Sequence, residues 1–231
     1  MELESLSKAS LEEKKRGAKA DMYLSVLNSY FKALKGVAND ERWKSSGREI
    51  RSIGRGVDSL IIQTNTLLDG DIPVGFAKAA GKTFGFLAEN IQKYRQNKLL
   101  KEFVSVGDSL VSQSVDSLVS ILKSETLNEL IENEYEGLKD SYQAYLFSMS
   151  QRGYPPQIEY DRTYLALAQK SVYVKQIRNN SITALRAVKR AHHKLSIEMI
   201  KEDEDKEVFD DIKTVNRLAF EIAKLVSLPS E

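Results

Sequence analysis

His192 and His193 are the only imidazoles in a chain of 231 residues, and imidazole is the side chain that moves protons or holds metals most readily near neutral pH. Adjacent residues on a helix point about 100° apart, so these two do not converge on one ion. Metal-binding helices place their ligands at i and i+4, and the Glu-x-x-His pattern of di-iron bundles is missing before either histidine. His192 falls on the apolar stripe of Leu185, Val188, Leu195 and Met199. It reads as a core or groove histidine, with a small-molecule pocket between helices as the functional alternative; His193 then faces solvent. There is no cysteine, which removes thiol catalysis, disulfides and thiolate zinc sites. No Gly-rich phosphate loop follows a strand, no Gly-x-Ser-x-Gly elbow is present, and no carboxylate pair stands at a recognisable spacing from a histidine. The residues point away from an enzyme, and no catalytic residue, cofactor or metal is expected.

Three other groups of residues have chemistry to offer. Between Lys170 and Lys194 the chain carries Lys170, Lys175, Arg178, Arg186, Lys189, Arg190 and Lys194 with no acid among them. This run suits an anionic contact, or a face neutralised within the chain by the acidic stretch from Glu198 to Asp211; Arg186, Lys189 and Arg190 are candidate partner-surface residues. Tyrosines crowd the second half, and Tyr154 and Tyr160 flank the Pro155-Pro156 loop, where a flat apolar body with a polar tip suits a protein interface. The segment 72–87 is rich in Gly, Ala and Phe. A helical wheel places Phe76, Ala80, Phe84 and Leu87 on one face and Lys78, Gly81 and Gly85 on the other. Phe76, Phe84, Phe86 and Leu87 are thus candidate membrane or partner contacts, as in helical pore-forming toxins. The plainer reading is a core helix whose small face admits a close neighbour.

Helices must position all of these groups. Apolar residues recur at spacings of three and four in Tyr23, Val26, Tyr30, Leu34 and Val37, in Ile50 to Leu67, in Val111, Val115, Leu118 and Leu122, and in Val208 to Val226. A first helix is expected from the capping-box spacing at Ser10 and Glu13 to about Ala38, with residues 1–9 a disordered tail. A second spans about Ser45 to Leu68. After the break at Asp69 to Pro73, a third runs to about Lys123, interrupted near Gly107. Thr126 and Glu129 repeat the capping-box spacing at the head of a fourth helix, which ends at Gly153-Tyr154-Pro155-Pro156. A fifth, on the order of 65 Å long at ~1.5 Å per residue, reaches about Ile200. The acidic run Glu202 to Asp205 leads to a last helix over about Lys206 to Ser227. The expectation is an all-α, elongated, coiled-coil-like bundle of about five to six long amphipathic helices, forming one domain over residues 1–231.

With 34 basic and 33 acidic residues the net charge is +1, which argues against a dedicated nucleic-acid binder. No stretch approaches the roughly 18 apolar residues of a membrane span, and no secretory h-region opens the chain. It reads as soluble, or as periplasmic or envelope-associated if an export signal has been removed. The Ala-Leu and Ala-His-x-x-Leu rhythm from Ala184 to Leu195, with the Gly/Ala/Phe segment near residue 80, resembles a set of uncharacterised all-helical bacterial envelope proteins, often lipoproteins. That resemblance implies an envelope setting and no particular activity. Taken together, the sequence favours a non-enzymatic bundle that works by binding another protein, with membrane activity through residues 72–87 and small-molecule binding at His192 as alternatives.

Overall fold

The computed structural model describes residues 2–38, 52–53, 55–63, 72–91 and 96–201. These form an all-α bundle: α1 (Glu2–Ala38), α2 (Val74–Asn90), α3 (Gln96–Leu122), α4 (Glu125–Arg152) and α5 (Ile158–Lys201), with a shorter helical stretch at 55–63. Most of the second expected helix, the acidic run at 202–205 and the last expected helix lie outside the described residues. Contacts within the chain gather it into two compact units, residues 1–119 with 184–231, and residues 120–183.

Three boundaries differ from the sequence expectation. Helix α1 begins at Glu2, so the expected tail at 1–9 is helical from its second residue. Leu, Glu and Lys, which make up much of this stretch, are good helix formers. The cap of α4 is Ser124, whose hydroxyl accepts from the Leu127 amide at 3.4 Å; Thr126 already lies inside the helix. The third expected helix is described as two elements, α2 ending at Asn90 and α3 from Gln96, with residues 92–95 outside the described residues, while Gly107 lies uninterrupted within α3.

In the first unit the stripe read from the sequence is the core. Tyr23, Val26, Tyr30, Leu34 and Val37 of α1 are buried, as are Val111, Val115 and Leu118 of α3 and Leu185, Val188, Leu195 and Met199 of α5. Each large apolar side chain removed from water contributes roughly 1.5–3 kcal/mol. Helix α2 joins through Phe76, which meets Tyr23 edge to face at 4.7 Å, and through Thr83, whose hydroxyl bonds back to Ala79 at 2.8 Å and lies 3.3 Å from the Val106 carbonyl of α3.

The close helix approach is at Gly107 rather than on the small face of α2. A Cβ at Gly81 or Gly85 would meet nothing within 4 Å, whereas one at Gly107 would overlap the Tyr30 ring, 2.6 Å from its Cζ. That ring cannot step aside, because it is fully buried against Phe103 at 5.0 Å and Phe31 at 5.3 Å. Alanine is the better helix former by about 1 kcal/mol. Gly107→Ala is nonetheless expected to destabilise by about 1–3 kcal/mol through overpacking. Chemical denaturation measures it, and an unchanged or raised midpoint would remove the claim that Tyr30 fills this notch.

Candidate functional site

The first unit holds a polar chain through its core. Tyr30 of α1 packs against His192 of α5, with its hydroxyl 2.7 Å from Nε2. His192 Nδ1 lies 3.0 Å from one Asp108 carboxylate oxygen of α3, and His193 Nδ1 lies 2.8 Å from the other. An ionised carboxylate only accepts, so both Nδ1–H groups donate to Asp108. In neutral His192 this leaves Nε2 as acceptor for the Tyr30 hydroxyl. Burial and the Asp108 charge hold the Tyr30 phenol well above its usual pKa, which keeps it a donor. The hydrogen bond from His192 foremost, with that from His193, draws Asp108 below the usual carboxylate range, against the opposing effect of partial burial.

The two histidines diverge as helix geometry requires, and yet they meet one residue, because Asp108 reaches between them with one oxygen for each. His192 is fully buried, whereas the His193 side chain is 62% exposed. The core reading of His192 therefore describes its surroundings. Its Nε2 is taken by Tyr30, and Phe31 also meets its ring. Among the described residues no group of three His, Cys, Asp or Glu side chains is placed to hold a metal. The arrangement is a buried hydrogen-bond chain tying α1, α3 and α5 together. A fully satisfied network of this kind specifies one packing register.

In the second unit α4 and α5 form a hairpin, and its tip is aromatic. Helix α4 ends in a Schellman turn: Gly153 adopts the left-handed conformation at φ 69°, its amide donates to Ser150, and the Tyr154 amide donates to Met149. A side chain resists that backbone, so Gly is the residue that fits. Beyond it, Tyr164 stacks on Tyr142 at 3.9 Å and 6°, Tyr142 lies 6.1 Å from Tyr145, and Tyr145 stacks on Tyr160 at 4.7 Å and 14°. Hydrogen bonds set the rings: the Tyr142 hydroxyl donates to Asp161 at 2.7 Å, and the Gln157 amide donates to the Tyr145 hydroxyl at 2.7 Å. The bond to Asp161 pushes the Tyr142 pKa up to about 12. Tyr154 and Tyr160 remain largely exposed at 65% and 56%. Deeper in the hairpin, Lys175 lies over the Tyr135 ring at 5.7 Å and Arg178 bonds to Asn128.

The remaining sequence candidates divide. Phe76, Phe84 and Leu87 are buried in the first unit and Phe86 is half-buried, while Val74, Lys78, Gly81 and Lys82 make the exposed face of α2. Entry of this segment into lipid would require dismantling the core it completes. Of the basic residues, Arg186 and Arg190 are exposed, but Lys189 is paired with Asp116 of α3 at 2.6 Å. Lys194 meets Glu198 at 3.3 Å. The acids expected to neutralise this run were those from 198 onward, and Asp116 was not among them: nothing local in the sequence links residues 73 apart. Asp108 carries no local signal either, since only the packing of α3 on α5 brings it to the histidines.

Comparison with known proteins returns no match: no family model, no curated protein and no solved structure is similar to the chain. What fold and site together define is an all-α helical bundle with a polar chain in one unit and an exposed aromatic hairpin tip in the other.

Proposed function

We propose that this protein works by binding another protein rather than by catalysis, and that the hairpin tip is the contact. The observation that carries this is the exposed ring of Tyr160, stacked on Tyr145, whose hydroxyl accepts from the Gln157 amide, with Tyr154 exposed in the same turn. Exposed aromatics are the side chains most often responsible for binding energy. Groups ordered before the encounter lose less entropy in it. The buried chain through His192 supports the same reading from the other side, because the Tyr30 hydroxyl and both ring nitrogens of His192 are engaged within it. An envelope setting enters this reading through the sequence resemblance alone. No helix among the described residues is long and apolar enough to cross a membrane.

The test compares the immobilised full chain with its Tyr154→Ser/Tyr160→Ser variant in an extract of the source cells, with captured proteins quantified by mass spectrometry. Both positions are exposed, so the variant is expected to keep its fold. A protein retained by the native chain and reduced at least tenfold by the variant is expected, since loss of a hot-spot aromatic costs about 2 kcal/mol or more. Equal retention by both would remove the tip as the contact.

A further inference from the structure

Among the described residues, one nitrogen of the polar chain has no partner: Nε2 of His193. Asp108 gives one carboxylate oxygen to each histidine, but the two rings end differently. Nε2 of His192 is closed off by the Tyr30 hydroxyl in a fully buried site, whereas the His193 side chain is largely exposed. With its Nδ1–H donating to Asp108, the neutral His193 ring keeps its proton on Nδ1 and a lone pair on Nε2. A carboxylate on Nδ1–H fixes that tautomer, holds the ring in place and makes the other nitrogen the better electron donor. The surroundings suit an anion. Arg190 stands one turn and Arg186 two turns before His193 on the same face of α5, and a helical side chain covers the turn N-terminal to its own Cα. Both arginines are exposed, and neither is in an ion pair among the described residues. Lys189 and Lys194, by contrast, are bonded to Asp116 and Glu198.

We infer that His193 is a phosphoryl acceptor: its Nε2 takes a phosphoryl group from a phosphorylated side chain of a partner protein, an acyl phosphate or a phosphoramidate, and carries it as phosphohistidine. The Nε2 lone pair forms the N–P bond as the donor's P–O or P–N bond breaks, and the electron pair of that bond leaves with the donor carboxylate or imidazole. No proton has to leave the reacting nitrogen, because the ring proton is already on Nδ1. The phosphorylated ring is cationic, and Asp108 stays on its Nδ1–H to balance that charge. Arg186 and Arg190 are placed to neutralise the phosphoryl oxygens, which the guanidinium fork matches in shape. His192 cannot compete, since its Nε2 is taken and buried. The chain is the carrier here and the partner supplies the activated phosphorus, so the step needs no catalytic machinery from the bundle. Every residue it uses lies in the first unit, and the hairpin tip takes no part in it.

Potassium phosphoramidate delivers the same group with ammonia as the leaving group, and so tests the nucleophile without a partner. The full chain is incubated with it at neutral pH and followed by phosphorus NMR and peptide mass spectrometry. A single phosphohistidine is expected, at Nε2 of His193, formed at least roughly tenfold faster per histidine than in the chain unfolded in urea. His193→Ala, at an exposed position, is expected to keep the fold and to accept no phosphoryl group. Asp108→Asn, shown by circular dichroism to be folded, is expected to slow the reaction by roughly tenfold or more and to admit product at Nδ1, a change of site that a merely structural role for Asp108 would not bring. A native rate no higher than that in urea, a native product at Nδ1, or equal phosphorylation of His193→Ala would each overturn the proposal. The reagent needs neither a partner nor the tip, so failure here and failure of the tip as a partner contact are separate results.

Discussion

Phe84→Asp is expected to cost about 3 to 5 kcal/mol, a third or more of the stability of an ordinary domain and enough to unfold one at the low end of the usual range. Phe84 is buried within α2, beside Ala80 and Leu87, which are fully enclosed. The substitution removes a large apolar body and puts a carboxylate into a buried site. Urea denaturation followed by circular dichroism measures the loss. The same experiment separates two roles for residues 72–87. A segment held ready to leave the bundle would tolerate the change and lose only lipid binding, whereas a segment that completes the core loses the fold. A variant that melts like the native chain would end the core reading.

The second large effect belongs to Asp108. Asp108→Ala strands the Nδ1–H of His192, which has no water to turn to, and an unsatisfied buried polar group costs about 1–3 kcal/mol. Asp108→Asn keeps one acceptor and should cost less. The acid dependence follows from the direction of the shift. The folded carboxyl titrates below its unfolded value of about 3.9, so its contribution is complete above that value and is lost as pH falls through the lower folded one. The stability gap between native chain and Asp108→Ala should thus be widest near neutrality and shrink below about pH 4. A gap that stays constant down to pH 3 would mean that the carboxylate charge is not what the histidines use.

Helix α1 was legible because its apolar residues repeat at helical spacing, and so was the place of His192 on a buried stripe. Both are properties of one helix read alone. What escaped the sequence depends on two helices at once. Asp108 and Asp116 are ordinary polar residues on the outer part of α3 until α5 is laid beside them. Gly107 reads as a weak point in a helix, and only the ring of Tyr30 shows why a side chain is unwelcome there. Gly81 and Gly85 carry the spacing associated with close packing and yet face open space. The hairpin tip was legible in part: Gly153 and the two prolines marked the turn, whereas the stacking of Tyr142 on Tyr164 requires the antiparallel register of α4 and α5.

Helix α5 is unbroken from Ile158 to Lys201, but its two halves live under different conditions. From Leu185 onward every turn sends a side chain into the first unit's core, whereas through most of the stretch before Ser181 the helix is held by ring stacks, a few hydrogen bonds and little burial. Local opening free energies follow such differences. The hairpin half can therefore fray and re-form while the other half stays shut, so a surface carried on the hairpin is one that reorganises at little cost.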